Sequence, residues 1–315
     1  MNIFISKYKK FLSEQSDKIN ISLQVIRLGS HRFTNLLNLN KKTGKLICKN
    51  GFVLNFDETN HSNIKNLFYF SLLDGVLLSN KNKRGYWNYK NNIITTPQGI
   101  RFHIKSFDEL IFAETFLYDI HFSDFNFNNK VVIQAGGFTG DTALYYAYRG
   151  AKVYSFEPNP ESYNLALLNL KLNPKLKKNI IFKNLAIDKD GTLKFYINTK
   201  YSGGSSIYYN DRKKAVKIRC ASIKTILSEF GIKNPYLLDI DIKGSEFKII
   251  NEDSLSKFKI VRIEYSTKIE NRTLGDKEEI IKRLKQLGFK NIRVYKHNYG
   301  SYDLTEHGTI EAKRL

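Results

Sequence analysis

The amino-acid sequence predicts an α/β fold, namely a mostly parallel sheet with an antiparallel C-terminal hairpin, preceded by an N-terminal α+β extension. From Lys130 onward, short apolar strands alternate with segments of helical periodicity, which is typical of a parallel sheet. A glycine cluster directly follows the first of these strands, in KVVIQAGGFTGD at residues 130–141. The last two strands have no helix between them, so we expect them to pair antiparallel. We place the extension at residues 1–92 and the sheet domain at residues 93–315.

Length and composition indicate a globular protein of the cytoplasm. The 315 residues can bury one large core or two modest ones, and 42% of them are hydrophobic. The N-terminus lacks the features of a signal peptide, and the longest apolar run, at residues 67–78, is too short to span a bilayer. Cys48 and Cys220 are the only cysteines, which argues against a disulfide framework or a cysteine metal site.

The net charge of +21 favours anionic partners. Because the 51 Lys and Arg residues are spread along the whole chain, no segment resembles a nucleic-acid-binding arm. We therefore expect a small-molecule or glycan acceptor, acidic or phosphorylated, rather than nucleic acid. A surface that merely keeps the protein soluble is the alternative, and the oligomeric state is left open.

The extension is predicted to contain a helix and a hairpin. Phe4, Tyr8 and Phe11 share one helical face, which we expect to pack on the protein, with peripheral membrane contact as the alternative. Residues 45–57 read as a hairpin with Asn50-Gly51 at its turn. Strand and turn are expected at residues 92–106, and a helix at residues 107–122.

Each later element has its own signal. Asn159 is expected to cap a helix with Pro160 in its first turn, and Leu165, Leu168 and Leu172 are expected to form the buried stripe of that helix. The other predicted elements are strand 130–135, helix 140–149, strand 151–156, strand 180–187, an antiparallel excursion through YSGGSS, helix 222–230, strands 236–242 and 259–265, helix 276–287, and strands 289–295 and 307–313.

The glycine turn predicts a nucleotide-like cofactor. Gly136 and Gly137 would allow a ligand to approach the backbone, and Gly140 would let helix and strand pack closely. Glu157 ends the next strand, where a carboxylate can accept hydrogen bonds from both ribose hydroxyls. These features suit either NAD or S-adenosylmethionine (SAM). The spacing G-G-F-T-G departs from the dinucleotide fingerprint, and the C-terminal hairpin is typical of a class I methyltransferase, so SAM is favoured.

Four ordered motifs resemble the FkbM-type SAM-dependent methyltransferases. They are VVIQAGGFTGD, FEPNP, NLAIDKDGTLKFY and YLLDIDIKGSEFKII, followed by a fifth strand, IVRIEYS, and the resemblance covers residues 93–270. It implies a Rossmann-like class I methyltransferase sheet, SAM as donor, and methylation of a hydroxyl on a carbohydrate, glycolipid or related metabolite. By resemblance alone, Asn184 and Ala186 are expected to line the adenine pocket.

Two departures from the family pattern concern the cofactor site. The family commonly has Asp where this chain has Gln134, and we expect the amide to bind SAM more weakly. In the fourth motif, Asp239 stands where Lys is usual and Lys243 where Glu is usual, which suggests an ion pair of exchanged sign.

Three carboxylates are the predicted catalytic residues. Asp241, at the carboxyl end of the fourth strand, is the expected general base. Glu246 is expected either to orient the substrate or to cap the following helix, and Glu264 to face the same cleft. No metal is predicted, although Asp241 and Glu264 could together hold Mg²⁺. Methylation of RNA, and a SAM-fold protein that has lost catalysis and serves as a scaffold, are the alternative functions.

Overall fold

The computed structural model describes residues 31–48, 51–72, 87–119, 122, 124–197, 215–242, 244–269, 272–296 and 303–314. The chain divides into two compact units, Met1–Ser123 with Asn298–Ser301, and Asp124–His297 with Tyr302–Leu315. The sequence-based boundary lies earlier, between residues 92 and 93, and an acceptor-binding role for residues 1–92 stays a prediction. Most of the helix predicted near the N-terminus, including Phe4, Tyr8 and Phe11, lies outside the described residues, as do the YSGGSS segment and Lys243.

The first unit combines short helices, small sheets and an aromatic core. Strands β1 and β2 form the predicted antiparallel hairpin, and Phe112 packs edge-on against Phe102 and Phe107 with ring centroids 5.0 and 4.9 Å apart. The elements are α1 Arg32–Leu39, β1 Gly44–Ile47, β2 Val53–Phe56, α2 His61–Leu72, β3 Asn88–Lys90, β4 Ile93–Thr95, β5 Arg101–His103, α3 Glu109–Phe112 and a π-helical continuation, Ala113–Tyr118. The predicted hairpin, strand-and-turn segment and helix of this region are confirmed.

The second unit contains a seven-stranded sheet of order β16-β17-β13-β12-β6-β7-β8. Strand β17 pairs antiparallel with both β13 and β16, and the remaining pairs are parallel. Its strands are β6 Val131–Ala135, β7 Lys152–Phe156, β8 Ile180–Lys183, β12 Leu237–Ile240, β13 Ile260–Ser266, β16 Asn291–Tyr295 and β17 His307–Lys313. The predicted mostly parallel sheet with an antiparallel C-terminal hairpin is therefore confirmed.

Helices and a small sheet flank the large sheet. Asn159 caps its helix as predicted, because its side chain accepts a hydrogen bond from the Glu161 amide at 3.0 Å. The elements are α4 Asp141–Tyr148, α5 Pro160–Leu172, α6 Pro174–Lys177, β9 Ala186–Ile187, β10 Gly191–Tyr196, β11 Ala215–Ala221, α7 Ile223–Glu229, α8 Glu246–Ile249, β14 Lys268–Ile269, β15 Arg272–Thr273 and α9 Lys277–Gln286. No helix within the described ranges is long and apolar enough to cross a bilayer.

The predicted leucine stripe of α5 is wrong. Leu168 is 37% exposed, whereas the buried side of the helix carries Ser162, Ala166 and Asn169. Small and polar residues face inward because α5 lies against the glycine turn. The Asn169 side chain donates to the Thr139 carbonyl at 2.8 Å, which fixes the helix there.

The predicted strand 180–187 is two strands. Ile180–Lys183 pairs with β7 in the large sheet, but Ala186–Ile187 pairs with β11 in a separate three-stranded sheet. Asn184 lies at the break, where its side-chain amide donates to the carbonyls of Glu157 and Pro158 at 2.8 and 3.0 Å. These bonds turn the chain away from the large sheet.

Candidate active site

A row of polar side chains crosses the large sheet one position below its carboxyl edge. In-register partners on six neighbouring strands contribute one residue each, and they share one face because partners across a ladder point the same way. We call these residues the inner row: Ser155, Gln134, Asp239, Arg262, Glu311 and Arg293. Charges of opposite sign alternate from Asp239 to Arg293, which permits the burial of Asp239, Arg262 and Glu311, whereas Arg293 is exposed.

Asp239 is the centre of this row. It is fully buried; its Oδ1 lies 2.6 Å from Arg262 Nε, and its Oδ2 accepts a hydrogen bond of 2.6 Å from the Tyr146 hydroxyl. Burial, with the neighbouring charge of Asp239, raises the pKa of Tyr146 well above 10. Both carboxylate oxygens of Asp239 are thus bound by Arg262 and Tyr146, and the suggested pair with Lys243 stays a prediction because Lys243 lies outside the described residues. A single Arg inside the apolar strand IVRIEY was the signal for Arg262 as a partner.

Gln134 uses both ends of its amide inside the protein. Its Nε2 donates to Thr142 Oγ1 on α4, and its Oε1 accepts from Ser155 Oγ at 2.8 Å. The residue is 1% exposed. Its predicted contact with SAM stays a prediction, and the bonds it makes here join α4 to two strands.

Four of the predicted site residues follow the inner row at the carboxyl edge of the sheet. Glu157, Gly136, Asp241 and Glu264 stand two positions after Ser155, Gln134, Asp239 and Arg262, respectively. We call them the outer row. The Asp241 amide donates to the Ala135 carbonyl at 2.9 Å, which holds the end of β12 beside the glycine turn. Asp241 is exposed and Glu264 is half-buried, so both carboxylates lie near solvent.

Gly136 and Gly137 are required by contacts within the protein. A Cβ on Gly136, whose φ is 87°, would lie 1.8 Å from the Asp241 carbonyl oxygen, and one on Gly137 would lie 2.2 Å from Ser155 Oγ. The structure shows that these glycines admit the neighbouring strands, and that they also admit a ligand stays a prediction. Gly140, with φ of 79°, begins α4, and a Cβ there would be 3.4 Å from the Ala166 Cβ.

Glu157 holds the glycine turn with its carboxylate. Its Oε2 accepts from the Phe138 amide at 2.8 Å, and its Oε1 accepts from the Asn159 amide at 2.7 Å. Burial raises the pKa of Glu157 to about 8, and the charges of Asp241 and Asp141 act in the same direction. Each carboxylate oxygen has a second lone pair, so the group can also accept from two hydroxyls of a ribose.

Glu246 ties the loop after β12 to the end of β13. It is fully buried, and its oxygens accept from the Gly244 amide at 2.6 Å and the Ser266 amide at 3.2 Å. Burial, with the charge of Glu264, raises the pKa of Glu246 to about 7. The adjacent Ser245 hydroxyl donates to Asp188 at 2.8 Å. These contacts suit a residue that positions the Asp241 loop.

The remaining predicted residues lie farther from this edge or flank it. Ala186 is buried in a small cluster with Phe195, Ile218 and Cys220. His307 Nδ1 lies 2.9 Å from Ser266 Oγ at the end of β13, a contact that the sequence did not indicate. In the described part of the chain, no group of three or more His, Cys, Asp or Glu is arranged to hold a metal ion.

The residues at the carboxyl edge fit SAM. Its ribose hydroxyls suit the remaining acceptor capacity of Glu157, and its sulfonium and ammonium charges suit an edge that carries Glu157, Asp241 and Glu264. The chemistry of this donor set therefore agrees with the predicted cofactor.

The comparison with protein-family models supports the same assignment. The family model of the methyltransferase FkbM domain matches residues 130–290, and no curated protein matches the chain. An FkbM methyltransferase from Methylobacillus flagellatus KT is 14% identical over 63% of this chain and 47% of that chain, with a TM-score of 0.42. TYW2 from M. jannaschii, solved with AdoMet, is 15% identical over 76% of this chain and 90% of that chain, with a TM-score of 0.39. Magnesium protoporphyrin IX methyltransferase from Synechocystis PCC 6803, solved with SAM, is 15% identical over 65% of this chain and 79% of that chain, with a TM-score of 0.37. At TM-scores this low, these structures carry no further argument.

The family match begins at the first strand of the large sheet and spans more than half of the 315 residues. It includes the glycine turn, Glu157, Asp241, Glu246 and Glu264. The chain belongs to the FkbM methyltransferase family and is a SAM-dependent methyltransferase.

Proposed function

We propose that this methyltransferase acts on a hydroxyl of a carbohydrate, glycolipid or related metabolite. The observation that carries the proposal is the pair of solvent-near carboxylates of Asp241 and Glu264. Asp241 directly follows β12 beside the glycine turn, and Glu264 lies two positions before the end of the adjacent strand β13. A hydroxyl must lose its proton as it is methylated, and a carboxylate at this edge is suited to take it.

The chain's own residues would supply position and a base. SAM, when bound, supplies a methyl group on a positively charged sulfur that leaves as a neutral thioether. Asp241 takes the proton of the acceptor hydroxyl as the new C–O bond forms. Glu264 orients the acceptor, and Glu246 holds the loop that carries Asp241. Holding the acceptor oxygen in line with the methyl group contributes several kcal/mol in reactions of this kind.

Cofactor binding would rest on the turn and its acidic partner. Glu157 accepts hydrogen bonds from the ribose, while Gly136, Gly137 and Gly140 give the turn its shape. Asn184 and Ala186, by family resemblance, lie near the adenine, and Gln134 supports the turn from the inner row. An acidic or phosphorylated acceptor agrees with the net charge of +21.

Methyl transfer from labelled SAM to cell extracts tests this proposal. The purified full chain is incubated with glycan, lipid and RNA fractions, and the labelled product is identified by mass spectrometry. We expect label in a glycan or glycolipid fraction, at a hydroxyl. Asp241→Asn should lower turnover by about 100-fold or more with SAM binding retained. Glu279→Gln, an exposed charge change on α9, is the control and should leave turnover unchanged. Label found in RNA alone, or full turnover in Asp241→Asn, would contradict the proposal.

A further inference from the structure

The edge of the large sheet opposite the candidate site is strongly basic. Six of its strands run in one direction and β17 runs in the other, so the segments that enter those six strands lie at the same edge as the end of β17. We call this the amino edge. Its segments are residues 128–130, 149–152, 173–179, 230–236, 256–259, 287–290 and 313–314.

These segments hold twelve basic residues and no Asp or Glu. Every strand of the sheet has at least one such residue at this edge. The basic residues are Lys130, Arg149, Lys152, Lys175, Lys177, Lys178, Lys233, Lys257, Lys259, Lys290, Lys313 and Arg314. This excess of basic residues contrasts with the carboxyl edge, where the carboxylates of Glu157, Asp241 and Glu264 lie.

Most of these cations are exposed and are not neutralised by the protein. Lys313 has a carboxylate partner, Glu311 at 3.1 Å. The exposed lysines without a carboxylate in ion-pair range, within the described residues, are Lys130, Lys152, Lys175, Lys177, Lys178, Lys233, Lys257, Lys259 and Lys290. The edge therefore presents a broad excess of positive charge to solvent.

Compensation of helix dipoles does not account for this excess. Helices α4, α5, α7 and α9 precede strands of the sheet and end at the amino edge. Each helix end carries roughly half a negative charge, which gives about −2 for the four helices. The basic residues at the edge outnumber that charge several-fold, so most of them are available to an outside partner.

The shape of the edge favours a flat anionic surface over nucleic acid. Neighbouring strands lie about 4.8 Å apart, so seven strands spread the cations over roughly 30 Å. Lys130 and Lys152 cover the rings of Tyr236 and Tyr154, each with Nζ 5.3 Å from the ring centroid. Those rings are thus not an open stacking platform for single strands. Within the described segments, the edge consists of short strand-entry loops, without a protruding helix or ribbon that could enter a groove.

We propose that the amino edge of the large sheet docks on an anionic lipid membrane surface. Lysines on long stems are suited to contact acidic headgroups, and many of them acting together give a salt-sensitive attachment. If the carboxyl edge is the active site, as proposed above, docking leaves that site open to water. The acceptor would then be taken from the aqueous side, which favours a water-soluble carbohydrate among the proposed acceptors.

Vesicle co-sedimentation of the full chain tests this docking. Vesicles of phosphatidylserine in phosphatidylcholine are compared with pure phosphatidylcholine at low and high salt. The edge variant Lys175→Gln/Lys177→Gln/Lys178→Gln changes three exposed lysines around α6. The matched control, Lys189→Gln/Lys194→Gln/Lys217→Gln, removes the same charge from exposed positions outside the amino edge. The melting temperature and SAM affinity of each variant are measured alongside.

We expect binding to the anionic vesicles alone, with release by high salt. At about fivefold per lysine, the edge variant should bind roughly 100-fold more weakly, whereas the control should change far less. SAM binding should be unchanged in both variants, so a failure of docking is distinct from a failure of the proposed function. Absence of vesicle binding, or an equal loss in both variants, would overturn the proposal. So would binding to duplex DNA or RNA by a protein that ignores the vesicles.

Discussion

The replacement Gln134→Asp tests whether position 134 belongs to the buried inner row. This change restores the residue common in the family, but it places a carboxylate in register beside Asp239, whose charge is already balanced by Arg262. It also removes the bonds of Gln134 to Thr142 and Ser155. Gln134→Asn is the matched control, because the Asn side chain is as long as that of Asp and loses the same hydrogen bonds without adding charge.

The charge accounts for the expected difference between the two variants. Two carboxylates about 5 Å apart repel by about 3 kcal/mol at an effective dielectric constant near 20. Arg262 offsets part of this repulsion, while the desolvation of a buried charge adds to it. We therefore expect Gln134→Asp to be less stable than Gln134→Asn by about 3 kcal/mol at pH 8.

The difference should depend on pH. A destabilised carboxylate has a folded-state pKa above its unfolded value of about 3.9, so the penalty is full above the folded-state pKa and disappears below the unfolded one. At pH 5 we expect about 1.5 kcal/mol to remain. Urea unfolding of both variants at pH 5 and pH 8 measures this difference in the free energy of unfolding. Equal stability of the two variants at both pH values would refute the placement of this residue in the core.

Three further changes probe the carboxylates and the buried ion pair. Glu157→Ala should weaken SAM binding by more than tenfold in calorimetry, since it removes the acceptor of two ribose hydrogen bonds that contribute about 0.5–1.5 kcal/mol each. Unchanged affinity would remove Glu157 from the cofactor site. Arg262→Met should cost about 3–5 kcal/mol in urea unfolding, because it leaves Asp239 buried and unpaired; a loss below about 1 kcal/mol would show that the pair matters little. Glu246 has a folded-state pKa of about 7, above its ordinary 4.5, so its contribution to stability is full below pH 4.5 and is lost as the pH rises through 7. Glu246→Gln should flatten this decline by about 3 kcal/mol, and an unchanged pH profile of unfolding would contradict the assignment.

The parallel sheet and its antiparallel C-terminal hairpin could be predicted because the signals are local. Apolar strands alternate with helical segments, and Asn159-Pro160 marks the start of α5 in two adjacent residues. The clustering of Glu157, Asp241 and Glu264 near one edge also follows from the sequence, because each lies at or near the carboxyl end of a predicted strand and parallel strands end together.

The inner row and the inward face of α5 could not be predicted. Asp239, Arg262 and Glu311 lie on three different strands, and only the register of the sheet shows that they lie side by side. The leucines of α5 gave a plausible helical stripe, but the inward face is set by the nearby glycine turn. Contacts between distant parts of the chain decide both features.

The alternation of charge across β12, β13, β17 and β16 has a consequence for how the sheet assembles. Purely apolar strands can pair in a shifted register with little change in the apolar surface that they bury. A shift of the register by one residue would turn Asp239 away from Arg262 and Arg262 away from Glu311. Each charge would then be buried without a partner among apolar side chains. The charged residues of the inner row therefore favour the native register of these strands over a shifted one, because a shifted register is less stable.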